Sequence, residues 1–238
     1  MSVIKRFLRL GVLFTVLSAM VMVQTPLSGQ EMTVEQSYLQ ESVEMIIIRE
    51  QSRSNSRDNK LVALDYIGNA LERGSKSDEI QVTLDYLSLE GLLYVSRESG
   101  RVLNNFPDIR RQAVIYLGQL GTPEARDTLL KVVNSDNEPM VISEAIRALG
   151  TIGNNDDNRA TSTIAWTVKR FDILVPDNYL ALSALDAFEK IAIANNGLTD
   201  GLAYETIMQI SENYNYISPV RTRAKDLLNN LLRNTYSQ

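Results

Sequence analysis

Two stretches, IRRQAVIYLGQLG (109–121) and VISEAIRALGTIG (141–153), have small and apolar residues in the same order. Both place alanine at the fifth position, leucine at the ninth, and glycine at the tenth and thirteenth. The paired positions are Ala113 and Ala145, Leu117 and Leu149, Gly118 and Gly150, and Gly121 and Gly153. Because the pattern recurs, we interpret it as architectural rather than local.

The two glycines of each stretch predict different local structures. A glycine inside a helix costs about 1 kcal/mol relative to alanine, so Gly118 and Gly150 predict places where a neighbouring helix packs closely. Gly121 and Gly153 end their stretches and predict left-handed helix stops.

Three weaker copies follow the same frame: NKLVALDYIGNAL (59–71), LALSALDAFEKIA (180–192) and VRTRAKDLLNNLL (220–232). The anchoring alanines of the five copies lie 50, 32, 39 and 40 residues apart. Irregular copies at such spacing are typical of a helical solenoid.

A second series of stretches lies between these copies, each with threonine followed by leucine or isoleucine: VTLDYLS (82–88), DTLLKVV (127–133), STIAWTV (162–168) and ETIMQIS (205–211). Each begins an apolar stripe at helical spacing. Five prolines stand at predicted helix starts, namely Pro107, Pro123, Pro139, Pro176 and Pro219. Thr122, Ser218 and either Ser77 or Asp78 are expected to be N-caps. Each unit is therefore predicted to be a helix, a turn and a second helix.

The pattern resembles HEAT repeats, in particular bacterial HEAT-like repeats. The resemblance covers 58–232 and is strongest in 108–136 and 138–174. It implies an all-α fold, an α-solenoid of about five helical hairpins whose second helices line the concave surface. Arg110 and Arg221 stand at the consensus arginine, whereas Ile142 occupies that place in the second good copy.

The ends of the array are predicted to differ from its interior, because terminal repeats need a covered apolar face. Residues 33–50 are expected to form an N-terminal capping helix and 51–58 its turn. The chain thus divides into a signal peptide (1–29), the cap and turn (30–57), the solenoid (58–232) and a polar tail (233–238).

The N-terminus has the composition of an export signal. Lys5, Arg6 and Arg9 precede the uncharged apolar run 10–23, and the small residues 28–29 follow Pro26. The run is shorter than the roughly 20 residues of a membrane span, although an uncleaved anchor is the alternative. We expect a periplasmic or secreted protein without a membrane segment after cleavage.

The composition excludes several kinds of chemistry. The chain has no Cys and no His, so it can build neither a disulfide, a Cys/His zinc site nor a Ser-His-Asp triad. Its net charge of −5 would become −8 without the cations of 1–29, which disfavours nucleic acid. The run 153–160 lacks the spacing of a calcium loop and is expected to be a solvated turn.

Carboxylate catalysis is also disfavoured by the sequence. Five acidic residues, Glu72, Asp85, Glu90, Asp127 and Asp186, are expected on solvated helix faces. We predict no enzyme activity, no cofactor and no metal.

The best candidate site is a row on the second helices. Tyr86, Lys131, Trp166 and Gln209 each stand three residues after the shared threonine, and Lys169 and Arg170 lie on the Trp166 side. An exposed Trp beside Arg is typical of a protein-binding hot spot. The alternative is that Trp166 fills the groove between neighbouring helices. A second candidate is a basic quartet, Arg97, Arg101, Arg110 and Arg111.

Together these observations predict an exported, non-enzymatic scaffold of the bacterial cell envelope that binds a protein partner. Two alternatives stay open at this stage. One is an accessory component of a large periplasmic machine, such as a secretion or flagellar motor. The other is a lyase or chaperone-type enzyme like some HEAT-like proteins.

The export signal makes a direct prediction. N-terminal sequencing of the protein recovered from its native cell should find a chain that starts near Gln30, outside the cytoplasm, because the small residues 28–29 suit signal cleavage. An intact Met1 in a soluble cytoplasmic pool would contradict it.

Overall fold

A computed structural model describes residues 34–173 and 176–235, with side chains from residue 39 to residue 233. This part of the chain contains ten helices and one two-stranded hairpin. The helices are α1 (Val34–Arg53), α2 (Arg57–Glu72), α3 (Asp78–Leu89), α4 (Pro107–Leu120), α5 (Pro123–Ser135), α6 (Pro139–Ile152), α7 (Arg159–Asp172), α8 (Asn178–Ala194), α9 (Gly201–Glu212) and α10 (Ser218–Thr235); the strands are β1 (Arg97–Glu98) and β2 (Arg101–Val102).

Contacts divide the chain into two compact units, Met1–Glu41 and Ser42–Gln238. Of the first unit, only helical residues 34–41 at the start of α1 are described. The predicted signal, residues 1–29, lies outside the described residues. Within the described ranges, no helix combines the length and apolar character needed to span a membrane.

The helices of the second unit form two layers. The first helices α2, α4, α6, α8 and α10 pack side by side in chain order, and so do the second helices α3, α5, α7 and α9. Each second helix also packs against the first helix of the next hairpin. The predicted all-α solenoid of helical hairpins is therefore confirmed, with four complete hairpins and α10 as a closing helix in the described part of the chain.

One continuous hydrophobic core joins these layers, from Ile48 on α1 to Leu231 on α10. Most outward residues of α10 are polar and include Thr222, Lys225, Asp226 and Asn229, whereas Leu232 is the exposed apolar residue at its end. This polar face covers the end of the core, as a terminal helix of a repeat array must.

The predicted glycine roles are confirmed. A methyl group on Gly118 would lie 2.8 Å from Ala148 Cβ, and one on Gly150 would lie 2.6 Å from Ala187 Cα. The helix pairs α4–α6 and α6–α8 therefore approach at distances that only glycine permits at these positions.

The predicted stops and caps are largely confirmed. Gly121 and Gly153 have φ angles of 70° and 72° in the left-handed region. Ser77 and Thr122 accept hydrogen bonds from backbone amides of the following helix. Ser218 was predicted wrongly, since α10 begins at this residue and Ile217 O accepts the first helical bonds.

Two helices were also predicted to end too early. Helix α1 continues to Arg53, so its turn is confined to residues 54–56, and α10 continues to Thr235, into the predicted polar tail. Polar residues fill the last turn of each helix without interrupting it, because helix formation tolerates polar side chains on an exposed face.

The connection between α3 and α4 was not predicted. Residues 90–106 form an insert, whereas the other connections between hairpin helices have two to six residues. The insert contains the antiparallel strands β1 and β2 and begins with a bridge between Glu90 and Tyr94. It is the largest departure from a regular repeat in the described residues.

The close helix approach predicts different effects of alanine substitution at two glycines. Gly150→Ala should lower the free energy of unfolding by about 1–3 kcal/mol, because the added methyl group overlaps the α8 backbone. Gly201, at the start of α9, has nothing within 4 Å of an added Cβ, so Gly201→Ala is the matched control and should not destabilise. Urea unfolding of both variants measures this, and equal stabilities would contradict the packing.

Candidate interaction surfaces

Trp166 lies on the outer side of the second-helix layer. Its residue surface is 64% exposed, while Ile164 and Val168 on the opposite side of α7 are buried. The ring therefore faces solvent and does not fill the groove between neighbouring helices. Its role in binding stays a prediction.

Polar contacts tie the outer faces of α7 and α9 together around this ring. Lys169 Nζ lies 5.8 Å from the Trp166 ring centroid and 2.9 Å from Glu205 Oε1 on α9. Gln209 Nε2 donates a hydrogen bond of 3.3 Å to Asp172 Oδ2. Lys169 and Gln209 are therefore held against the neighbouring helix.

Arg170 and Lys131 extend the basic character of this face. Arg170 is exposed, and its Nη2 donates to Val133 O of α5 at 3.4 Å. Lys131 is exposed on α5, close enough to Asp85 to favour its charged form. Burial nevertheless raises the pKa of Asp85, which outweighs Lys131 and the hydrogen bonds from Thr128 and Gln81.

Tyr86 differs from the other members of the predicted row. Its ring is half-buried, and its hydroxyl donates to Glu90 Oε1 at 3.0 Å. Burial and the adjacent Glu90 carboxylate raise the pKa of Tyr86 to about 12. We therefore define the second-helix face as Lys131, Trp166, Lys169, Arg170 and Gln209, and place Tyr86 with the insert.

The first-helix layer has a different surface, on which charged groups are paired with one another. Each pair joins neighbouring first helices: Arg57 with Asp108, Arg111 with Glu144, and Arg223 with Glu189. Arg147 joins α6 to α8 by donating to Ser183 and lying 4.6 Å from the Tyr179 ring centroid. These charged side chains of the first-helix layer are therefore paired with other residues of the same protein.

A buried polar network lies beneath the insert. Glu90 is 2% exposed and Lys60 is fully buried, with Nζ 2.8 Å from Glu90 Oε2. Lys60 Nζ also donates to Ser52 O at 2.7 Å. Asn104 Nδ2 donates to Glu90 Oε1 at 3.2 Å and to Tyr94 O at 2.7 Å. The expectation that Glu90 is solvated is wrong, because the insert folds over it.

The basic quartet does not form one surface. Arg110 is buried, and its Nε donates to Asp136 Oδ2 at 2.7 Å. Its Nη1 donates to Asn105 Oδ1 at 2.7 Å, which holds the end of the insert. Arg111 pairs with Glu144 on α6. Only Arg97 and Arg101 stand exposed on the hairpin strands.

The two buried pairs occupy equivalent positions in successive hairpins. Lys60 aligns with Arg110 in the repeat frame, and their partners Glu90 and Asp136 are the C-caps of α3 and α5. The alignment at the consensus arginine was the signal that could have identified Lys60 from sequence. No nearby sequence feature identifies Glu90 as the partner of Lys60, because thirty residues separate the two.

The 153–160 turn and two of the remaining acidic residues make contacts within the fold. Asn155 of the 153–160 turn is buried rather than solvated, and its Oδ1 accepts from Thr161 N at 3.2 Å. Asp127 pairs with Arg159, and Asp186 with Arg223. The described residues contain no group of three or more acidic, His or Cys side chains that could hold a metal.

Comparison with known proteins supports the repeat architecture. A family model described as HEAT repeats matches residues 102–164, from β2 into α7. This match supports a HEAT-like repeat protein, a kind of fold that commonly mediates protein–protein interaction. No curated protein matches the chain.

Among solved structures, the chain matches the cryo-EM structure of a de novo designed 16-helix transmembrane nanopore. The identity is 15%, and the match covers 82% of this chain and 61% of that one, with a TM-score of 0.17. The chain thus spans less than two thirds of the designed chain. A TM-score this low supports no statement about fold or function.

The buried network predicts a strong effect on stability. Lys60→Met should lower the free energy of unfolding by about 3–5 kcal/mol, because Glu90 would stay buried without its counter-charge. The double variant Lys60→Met/Glu90→Gln should recover much of this loss, since a neutral amide still accepts from Tyr86 and Asn104.

The matched control for this experiment is Arg49→Met, which breaks the exposed Arg49–Glu79 pair and should cost far less. Urea unfolding of the variants gives the comparison. Equal losses for Lys60→Met and Arg49→Met would show that the buried pair stabilises the fold no more than an exposed pair does.

Proposed function

We propose that this protein is an exported, non-enzymatic scaffold of the bacterial cell envelope that binds a partner protein on its second-helix face. The observation that carries the proposal is the exposure of Trp166 at 64% on the outer side of α7. A large aromatic residue buries more apolar area on binding than any other side chain. Trp and Arg are also the residues most enriched at binding hot spots.

The surroundings of Trp166 support this use. Lys169 lies over the ring and is itself held by Glu205, which limits the orientations open to the indole. A ring ordered before binding loses less side-chain entropy when a partner covers it. Arg170 beside it has no carboxylate within 4 Å among the described side chains, so its charge is available to a partner.

The contrast between the two layers favours the second helices as the binding side. The first-helix layer has its charges joined across neighbouring helices, so a partner there would have to displace existing pairs. Covering such charged groups with a partner costs the desolvation of both groups. The second-helix layer also has such pairs, Asp127 with Arg159 and Lys169 with Glu205. Its face adds the exposed Trp166 ring and the Arg170 guanidinium, which donates to a backbone carbonyl and has no ion pair with a described carboxylate.

The packing of α7 supplies a fixed support for the face. Helix α7 packs against α5, α8 and α9, and its inner side contributes Ile164 and Val168 to the core. Binding therefore requires little reordering of the backbone, which raises affinity for a given contact area.

The export part of the proposal rests on the sequence of residues 1–29. A basic start, an apolar run and small residues before Gln30 are the composition of a signal peptide. The absence of Cys and His from the sequence gives no basis for thiol or imidazole catalysis, which supports a binding role.

The proposal predicts that two substitutions reduce capture of the partner without unfolding the protein. Trp166→Ala and Arg170→Ala should each weaken binding, and together by about 2 kcal/mol or more, because central aromatic and Arg anchors dominate interfaces. Thermal unfolding should change little, since neither side chain is core. Capture from the crosslinked native envelope and thermal melts on the same variants provide the measurement.

A matched control is Met140→Ala, which removes an exposed apolar side chain from the first-helix layer and should leave capture unchanged. The proposal is contradicted if Met140→Ala lowers capture as much as Trp166→Ala does. It is also contradicted if the Trp166 variant captures the partner fully while folded.

A further inference from the structure

A groove of about 580 Å³ lies between α1, α3 and the start of the insert. Arg53 of α1, Val82 of α3 and Tyr94 of the insert all line it. Its volume falls within the roughly 300–1,000 Å³ that is typical of small-molecule sites. The groove is therefore large enough to hold a ligand of that size.

Two tyrosine rings stand together in this groove. Tyr86 and Tyr94 both line it, with ring centroids 5.5 Å apart and ring planes tilted by 33°. The Tyr86 ring packs against the core, whereas Tyr94 is 49% exposed. Tyr94 therefore offers open aromatic surface to a ligand.

The insert holds Tyr94 in place through its backbone. Tyr94 O accepts hydrogen bonds from Asn104 Nδ2 at 2.7 Å and from Gly91 N at 3.0 Å. Asn104 also donates to Glu90, whose carboxylate pairs with the buried Lys60. The ring is thus positioned before a ligand arrives, and a site that is already ordered loses less entropy on binding.

The charges that line the groove nearly balance. The described lining includes two arginines and three carboxylates, namely Arg49, Arg53, Asp78, Glu79 and Asp85. Glu79 accepts two hydrogen bonds from Arg49, of 2.6 and 2.7 Å. These bonds lower the pKa of Glu79, and the charge of Arg53 adds to the effect. Asp85 Oδ1 accepts from Gln81 Nε2 at 2.7 Å.

This lining disfavours a ligand that has a net charge. A cationic group would meet Arg49 and Arg53, and the Tyr86 ring already has a cation beside it, since Lys60 Nζ lies 5.5 Å from its centroid. An anionic group would meet the three carboxylates of α3. Because like charges brought together suppress binding, a neutral ligand is favoured.

The lining also disfavours a ligand that is apolar throughout. Of the described residues that line the groove, only Val82 has a purely aliphatic side chain. An apolar ligand would take the charged groups out of water without giving them hydrogen bonds, which has a large cost. The groove therefore favours a ligand with many neutral hydrogen-bonding groups and one apolar surface.

From this combination we infer that the groove binds a neutral saccharide of a few pyranose units. A hydroxyl group both donates and accepts hydrogen bonds, so it can bond to Arg49 and Glu79 without breaking their pair. Arg49 uses only Nε and Nη2 in that pair, which leaves further N–H donors of its guanidinium for a ligand. This site does not use the residues of the second-helix face.

Tyr94 supplies the apolar contact for such a ligand. One side of a pyranose ring presents C–H groups whose hydrogens are slightly positive, and the face of an aromatic ring is slightly negative. The exposed ring of Tyr94 can therefore stack on that side of the sugar. The hydroxyl groups at the sugar's edge would then lie towards the polar walls formed by α1 and α3.

The test is titration calorimetry of the purified full chain with cellotriose, maltotriose and triacetylchitotriose as neutral probes. We expect at least one of them to bind, and Tyr94→Ala should weaken that binding about fivefold or more. Raising NaCl from about 50 mM to about 500 mM should leave the affinity unchanged, because a neutral ligand has no charge for salt to screen.

Two control variants make the result specific. Tyr94→Phe keeps the ring and should retain most of the affinity. Tyr214→Ala removes a tyrosine that is 88% exposed in the connection between α9 and α10 and should leave affinity unchanged. Urea unfolding checks that Tyr94→Ala stays folded, as expected when the hydrogen bonds of Tyr94 to Asn104 and Gly91 are made by its backbone.

The source of the saccharide is distinguished by sedimentation with an insoluble polysaccharide of the sugar that binds. Sedimentation that Tyr94→Ala reduces supports a polymer as the ligand. Binding of the soluble trisaccharide without sedimentation supports a free oligosaccharide.

Several outcomes would overturn the inference. These are no binding of any neutral probe, equal affinities of the parent and Tyr94→Ala, and tighter, salt-dependent binding of trigalacturonic acid or of the glucosamine trimer. Binding of random peptides that Tyr94→Ala abolishes, without any saccharide binding, would assign the groove to a peptide.

Discussion

The close approach of α4, α6 and α8 is the constraint on which the array depends. Gly118 faces Ala148 and Gly150 faces Ala187 at distances that leave no room for a further methyl group. Side chains of ordinary size would push the helices apart to the usual 8–10 Å separation. The second helices would then lose their register with the first, and the shared core would open.

Two buried ion pairs fix the positions of the helices in addition to the glycines. Arg110 crosses from the start of α4 to Asp136 at the end of α5, and Lys60 crosses from α2 to Glu90 at the end of α3. Each pair fixes where a second helix stops relative to its own first helix. In the third hairpin Ile142 takes the basic position, so that hairpin relies on apolar packing for the same purpose. The two ionic pairs stand at connections of very different length, 136–138 after α5 and 90–106 after α3.

The sequence predicted the features that depend on residues close together in the chain better than those that depend on distant residues. Gly121 and Thr122 act through backbone geometry within one turn, so the stop and the cap could be derived directly. The helical stripes placed Trp166 opposite the apolar side of its helix, but its 64% exposure follows only from the structure, because the alternative was a groove between helices. Glu90 could not be derived, because its burial depends on Lys60 and Asn104, which lie far from it in the chain. Arg110 was misplaced for the same reason, since its partner Asp136 ends a different helix.

Contacts between residues far apart in the chain also decide which surface side chains are paired within the protein. A charge that can reach a neighbouring helix, such as Arg111 with Glu144, is neutralised by the stacking of the repeats. A side chain that extends away from the stack, such as Trp166, is covered only in part by its own chain, with Lys169 over the ring. Stacking of the repeats therefore pairs charges between neighbouring first helices. On the second-helix layer it pairs Lys169 with Glu205 and Asp127 with Arg159, whereas the Trp166 ring stays 64% exposed.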